Sequence, residues 1–198
     1  MTAVPERPAP GTADVPAPGR AVRAAAVLGA LGLLAFAAVN VSFEAGDRFA
    51  TGPTAAYADG LSVMNWLVVA LKLLGAGVLL LSLRTPSRAG GSAGTTLLLW
   101  GAFALFSLYA LGSIGEAIAM LLGLAGGPGR IDAAGVGYVL AMTAFAGAFG
   151  ASAVSCSRRT GWRRVPIALG VLGAPVLLAG ILVLAPALLV ALGVMPAL

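Results

Sequence analysis

Five stretches of apolar residues run through this chain, separated by short segments that carry most of its charges. The stretches lie at about residues 24–43, 63–83, 97–122, 133–155 and 166–188. An α-helix rises about 1.5 Å per residue, so about 20 apolar residues cross a hydrocarbon core of roughly 30 Å. The pattern therefore predicts an all-α, polytopic transmembrane helix bundle of about five spans over residues 21–198. Four spans with a hairpin-like insertion in place of the fifth is the main alternative.

The segment before the first stretch, residues 1–20, has a different composition. It holds five prolines among Ala, Gly and Thr, and such a segment cannot bury a core. We interpret it as a disordered cytoplasmic tail. A cleaved secretory signal is the rival interpretation of the first 43 residues, but the long leader and the long apolar run favour an uncleaved anchor.

Glycine and proline mark where the predicted helices end or bend. The run from Gly126 to Gly129 is a helix stop, and Asp132 is placed to cap the fourth helix. Pro175 and Pro186 interrupt the fifth stretch and predict a kink there, with residues 187–198 as an interfacial tail. The third stretch reaches from residue 95 to 126, so that span must tilt, kink or project.

The overall composition excludes several classes of function. The chain is 60% hydrophobic and 10% charged, with a mean hydropathy of +1.00, which is typical of an integral membrane protein. It has no His and one Cys, so we expect no metal site, no haem and no other cofactor. The net charge of +5 lies between the spans, so it gives no reason to expect nucleic acid as a partner.

The distribution of arginine among the loops predicts the orientation. The N-terminal tail, the second loop and the fourth loop hold three, two and four Arg, while the first and third loops hold one each. Positive charge is enriched on the cytoplasmic side of membranes. We therefore predict a multi-pass protein of the cell membrane, with its N-terminus in the cytoplasm and its C-terminus outside.

Two charges fall inside the apolar stretches, and these are Lys72 and Glu116. An ionisable side chain at membrane depth costs about 2.5 to 3.5 kcal/mol, so it needs a partner, a cavity or a function. Their side chains lean toward one another from adjacent antiparallel helices, so an ion pair is geometrically reasonable. The candidate intramembrane polar site includes both charges and the polar residues at helical spacing from them, Tyr109, Ser113 and Asn65. It is either a structural bridge between two helices or a titratable site for a proton or an anionic solute.

The first loop holds the candidate contacts with molecules outside the cell. These are Glu44, Asp47, Arg48, Tyr57 and Asp59. An ordinary loop at headgroup level is the simpler interpretation.

Rows of small residues occur every four positions on two spans. They are Gly115, Ala119 and Gly123 on the third span and Thr143, Gly147, Ala151 and Ser155 on the fourth. Such rows let helix backbones approach closely. They predict packing within the chain, or contact with another copy or with a membrane protein partner.

No motif of an enzyme is present. A Ser–Lys dyad would need Ser62 or Ser113 beside Lys72, but the chain has no nucleophile elbow or oxyanion motif. We therefore expect a non-enzymatic accessory or interaction protein in the lipid bilayer. The alternative is a small ion- or proton-coupled carrier that uses Lys72 and Glu116.

The order of segments also carries a resemblance. The run from Asn40 to Gly46 closes the first span, and a Leu-rich third span around residues 108–112 precedes a Gly-rich fourth. This order resembles a family of small multi-spanning bacterial membrane proteins known only as a domain of unknown function, in which His and Trp would stand at Asn40 and Phe43. The resemblance covers about residues 24–157 and implies no activity.

Overall fold

The computed structural model describes residues 16–84 and 91–196 as a bundle of helices. The long helices are α1 Arg20–Ala45, α2 Ala58–Ser82, α3 Gly91–Leu121, α4 Ala133–Thr160 and α5 Arg164–Ala179. A π-helical turn, Gly180–Leu184, joins α5 to the short helix α6, Ala185–Ala191. Within the described ranges there is no strand, and five helical stretches are long and apolar enough to cross a membrane. The prediction of an all-α bundle of five spans is thus confirmed; residues 1–15 of the predicted tail lie outside the described residues.

Several helices extend past the apolar stretches that predicted them. Helix α1 begins at Arg20, and α4 continues through Arg158 and Arg159 to Thr160. Arginine is a good helix former, and a positive charge near a helix C-terminus interacts favourably with the helix dipole. The polarity of a side chain therefore marks where the hydrocarbon ends and not where the helix ends.

The third helix ends earlier than the predicted stop at Gly126 to Gly129. Helix α3 ends at Leu121, Gly123 has a φ of 76°, and the N–H of Leu124 donates to the carbonyl oxygen of Ala119 at 2.8 Å, so Gly123 of the predicted small-residue row terminates the helix. The predicted glycines then form the turn that follows. Gly126 and Gly127 have φ of 89° and 87°, the left-handed region that glycine adopts without a Cβ clash. The carboxylate of Asp132 then accepts a hydrogen bond of 2.7 Å from the backbone N–H of Gly135. Asp132 is therefore the N-cap of α4.

The long helices form an arc. Helix α4 lies in the middle, between α1 and α3; α2 packs on α1, and α5 packs on α3. Among the described residues α2 touches α3 and α4 only slightly and does not contact α5. The two ends of the arc come together where α6 contacts α2 and where Met195 packs on Gly60 at the start of α2. The chain thus continues through Pro186 as helix α6, which ends at Ala191, and the turn after it brings Met195 back onto α2.

Aromatic and aliphatic side chains form a core between α1, α3 and α4. Phe149 of α4 is fully buried and stacks on Phe106 of α3, with ring centroids 5.4 Å apart. Phe145, one turn earlier, makes an edge contact with Phe36 of α1 at 5.6 Å. These contacts join three helices into one core.

Two glycines outside the predicted rows of small residues allow close approaches between helices. A Cβ on Gly29 of α1 would lie 2.8 Å from the Ala148 side chain of α4, and one on Gly170 of α5 would lie 2.5 Å from the carbonyl oxygen of Leu97 in α3. By contrast, a Cβ on Gly115 or Gly147 would meet no atom within 4 Å. Those two glycines of the rows are therefore not used for packing within the chain, and contact with another copy stays a prediction.

Candidate functional site: a polar ladder beside an apolar groove

Polar side chains of α1 and α2 meet along one helix interface, which we call the polar ladder. It consists of Asn40 and Glu44 on α1 and of Ser62, Asn65 and Lys72 on α2. Residues four apart lie on one face of a helix, as do residues three and seven apart. Helices α1 and α2 are antiparallel neighbours joined by a short connection. Their two polar faces therefore lie opposite each other along the interface.

The part of the polar ladder next to the first loop holds the carboxylate of Glu44. Its Oε2 accepts a hydrogen bond of 2.6 Å from the Ser62 hydroxyl, and its Oε1 accepts one of 2.7 Å from Nδ2 of Asn65. Asn65 is buried, and the same Nδ2 donates to the backbone oxygen of Asn40 at 3.0 Å. Glu44 therefore has partners for both of its oxygens.

The part of the polar ladder farther from the first loop holds the amine of Lys72. Its Nζ donates to Oδ1 of Asn40 and, at 3.3 Å, to the backbone oxygen of Phe36. It also lies 5.5 Å from the centre of the Phe36 ring, a favourable position for a cation. Asn40 in turn donates through Nδ2 to Oδ1 of Asn65. The cation and the carboxylate are thus connected through two asparagines, which lowers the cost of placing either charge in the membrane.

On its other side Lys72 borders an apolar groove. This groove is the inside of the arc, a cavity of about 540 Å³ between α2, α3, α4 and α5. Val78, Leu98, Phe149 and Leu178 are representative of its lining. Along α3 the lining runs from Leu97 to Tyr109, which is about 18 Å of helix at 1.5 Å per residue. The groove is therefore an elongated apolar space.

The polar groups of the groove are gathered at one end. The ring of Phe36, which lies under the Lys72 amine, is 6.2 Å from the ring of Tyr138, and that ring is 5.7 Å from Tyr109. Lys72, Tyr109 and Tyr138 all line the groove. The groove thus has one end with a cation and two phenols, and an apolar remainder.

The predicted intramembrane residues fall into two groups. Lys72 and Asn65 belong to the ladder, and Tyr109 lines the groove. Glu116 is exposed near the end of α3, and Ser113 is partly exposed one turn before it. Over residues 16–84 and 91–196, no hydrogen bond or ion pair joins Lys72 to Glu116. The expected ion pair is thus replaced by a bond to Asn40, because α2 turns its polar face toward α1 and not toward α3.

The candidate outer-loop contacts are also divided. Glu44 points into the ladder, while the guanidinium of Arg48 lies 4.7 Å from the ring centre of Phe43. Asp47 turns the chain with a φ of 48°. Tyr57 ends a 3₁₀ segment, Gly52–Tyr57, and Asp59 lies in the first turn of α2. Contact of these residues with an external molecule stays a prediction.

Sequence reasoning missed Asn40, Ser62 and Tyr138 as parts of the site. A signal for the first was present, because Asn40 and Glu44 are four residues apart at the end of α1 that adjoins α2. Ser62 and Asn65 are three residues apart at the facing end of α2, so each helix presents two polar side chains on one face there. Tyr138 carried no comparable signal, since its contact with the groove depends on how α4 packs between its neighbours.

Other candidate chemistry lies away from this site. Cys156 is buried in α4, with its Sγ 3.8 Å from the hydroxyl of Thr96. Among the residues described by the structure, no group of three or more His, Cys, Asp or Glu side chains could hold a metal ion.

No protein-family model, curated protein or solved structure matches this chain.

Proposed function

We propose that this chain is a non-enzymatic accessory protein of the cell membrane that binds a small lipophilic molecule in its groove. The observation that carries this proposal is the apolar groove of about 540 Å³ between the two ends of the helix arc, with Lys72, Tyr109 and Tyr138 in its lining. Cavities of about 300 to 1,000 Å³ with a few convergent polar groups are typical of small-molecule sites. The groove has that size and that distribution of polar groups.

The polar end of the groove favours a small amphiphilic molecule over an apolar transmembrane helix of a partner protein. Lys72, Tyr109 and Tyr138 line that end. The apolar remainder extends about 18 Å along α3, which suits a single extended chain.

The contacts of the ladder support a role without catalysis. Ser62, the nearest candidate nucleophile on α2, donates to Glu44, while Lys72 donates to Asn40 and Phe36. A Ser–Lys dyad requires the two side chains within hydrogen-bond reach of each other.

The test is photo-crosslinking in nanodiscs with a diazirine analogue of hexadecanol, followed by mapping of the labelled peptides. We expect the label on the groove faces of α2, α3 and α5. Gly173 lines the groove and has open space around it, so Gly173→Leu should fill the groove and reduce labelling. The matched control is Gly77→Leu, since Gly77 also has open space but does not line the groove. Uniform labelling of the outer surface, equal in both variants, would refute the proposal.

A carrier for protons or ions is the second candidate. The ladder favours it, because hydrogen-bonded groups continue from Glu44 at the loop end of α1 down to Lys72. Glu116, the other charge expected to take part, lies on the exposed part of α3. In proteoliposomes with an internal pH dye, a carrier of this kind predicts a flux that Lys72→Met abolishes. Equal proton leak in liposomes with and without protein would exclude it.

The orientation remains part of the proposal, with the N-terminus in the cytoplasm and the C-terminus outside. It can be tested in a Cys156→Ala background with single cysteines at two exposed positions. We expect Thr51→Cys to react with a membrane-impermeant maleimide in intact cells, and Trp162→Cys to react only after permeabilisation. The reverse result would invert the topology.

A further inference from the structure

The amine of Lys72 has capacity for one more hydrogen bond. A lysine ammonium has three N–H donors, and the structure shows two acceptors for it, Asn40 Oδ1 and the Phe36 carbonyl. Both acceptors belong to α1, whereas Lys72 also lines the groove. Over the described residues, no carboxylate contacts this nitrogen. The third donor is therefore available to a molecule in the groove.

A molecule in the groove would be recognised mainly by its head group. Lipid tails are as apolar as leucine, so an acyl chain gains little hydrophobic free energy when it moves from the bilayer into an apolar groove. A charge-assisted hydrogen bond, in contrast, is strong in a medium of low dielectric constant. Lys72 is the cationic residue among the described groove lining. It is thus the group that can select one amphiphile over the bulk lipid.

The other groups at this end of the groove complement a carboxylate. Tyr109 and Tyr138 line the same end and are hydrogen-bonded to each other, and the phenol O–H not used in that bond can donate to a carboxylate oxygen. A single cation matches a single negative charge. A two-tailed phospholipid exceeds the drug-sized ligands that a cavity of about 540 Å³ encloses, whereas a single chain suits the elongated shape.

On these grounds we propose that the groove binds a long-chain fatty carboxylate, with its head group on the Nζ of Lys72 and its tail along the apolar lining. This proposal rests on the proposed function, since it names the class of molecule that the groove holds. It predicts that the charge of the head group decides affinity.

The experiment compares radiolabelled palmitate with radiolabelled hexadecanol, which has the same chain and a neutral head group. Equilibrium binding is measured by scintillation proximity on the full chain in dodecylmaltoside, at a pH at which palmitate is ionised. We expect palmitate to bind about tenfold or more tightly than hexadecanol, the advantage of a hydrogen bond to a charged group. Lys72→Met should remove that advantage, whereas Lys72→Arg should keep most of it. Arg84→Met, an exposed site at the end of α2, is the matched loss of positive charge and should change nothing.

The possible outcomes separate this inference from the proposed function. If palmitate and hexadecanol bind the native chain equally and Gly173→Leu weakens both, the groove binds lipophilic molecules and the carboxylate proposal is wrong. If neither ligand binds, or Gly173→Leu has no effect on either, both proposals fail. The comparison of ligands on the native chain keeps the test valid even where Lys72→Met does not fold.

Discussion

A double-mutant cycle on Lys72 and Asn40 measures the central contact of the polar ladder. The pair of changes is Lys72→Met and Asn40→Leu, made singly and together. Asn40 supplies one of the two oxygens that accept from the Lys72 amine. The loss of that oxygen leaves a charge in the membrane with one acceptor, whereas the loss of the lysine removes the charge and its desolvation cost together.

The expected magnitude follows from the hydrogen bonds that each change removes. Hydrogen bonds between transmembrane helices average about 0.6 kcal/mol and reach about 1.7 kcal/mol, while bonds to charged groups in proteins contribute about 1.5 to 3 kcal/mol. We therefore expect a coupling free energy of about 1 to 2 kcal/mol. Asn40→Leu also removes the bond from Asn40 to Asn65, but this loss occurs with and without Lys72, so it cancels in the cycle.

The free energy of unfolding is measured by titrating sodium dodecyl sulfate into dodecylmaltoside micelles and following tryptophan fluorescence. Asn40→Leu should be markedly destabilising in the native chain and much less so in the Lys72→Met background. The control cycle pairs Lys72→Met with Glu116→Gln. Since the structure joins these two residues by no contact among the described residues, their effects should add within about 0.5 kcal/mol. Coupling to Glu116 that equals or exceeds the coupling to Asn40 would refute the ladder.

Three further changes test the packing and the capping of the bundle. Gly170→Ala places a Cβ 2.5 Å from a backbone oxygen of α3, so we expect a loss of about 1 to 3 kcal/mol in the same unfolding assay; Gly173→Ala, in open space in the same helix, is the control and should be neutral or stabilising by up to about 1 kcal/mol. Phe149→Ala removes a fully buried ring and should cost about 3 to 5 kcal/mol, whereas Leu140→Ala, 65% exposed, should change stability little. Asp132→Ala should cost about 1 kcal/mol and speed hydrogen exchange at the start of α4; unchanged exchange there would contradict its role as N-cap.

The spans could be predicted from the sequence because the signal is local. Each apolar stretch needs only its own composition and length to be identified as a helix that crosses a membrane. The cap at Asp132 was predictable for the same reason, since a cap depends on residues within one turn. The ends of α1 and α4 were not, because Arg20 and Arg158 continue a helix as readily as an apolar residue does.

The candidate site was predicted only in part because it depends on which helices are neighbours. Lys72 and Asn65 were identified as polar residues in an apolar run, and this needed no knowledge of packing. Identifying the residues that bond to them did require knowledge of the packing. Helix α2 is connected to both α1 and α3. The depth of Lys72 in the membrane is compatible with a partner on either helix. Close packing of Gly29 and other small residues in the core of α1, α2 and α4 places the polar face of α2 against α1. Glu116 therefore lies outside the ladder.

The arrangement around Lys72 argues that this lysine does more than hold two helices together. A bridge between α1 and α2 is already complete without it, because Glu44 has partners in Ser62 and Asn65, and Asn65 also binds the backbone of Asn40. An ionisable side chain at membrane depth costs about 2.5 to 3.5 kcal/mol. A lysine placed where the ladder borders the groove therefore costs stability that the helix interface does not require. The proposed binding of an anionic head group from the groove would offset that cost, and the cycle on Lys72 and the comparison of palmitate with hexadecanol test the two sides of this argument.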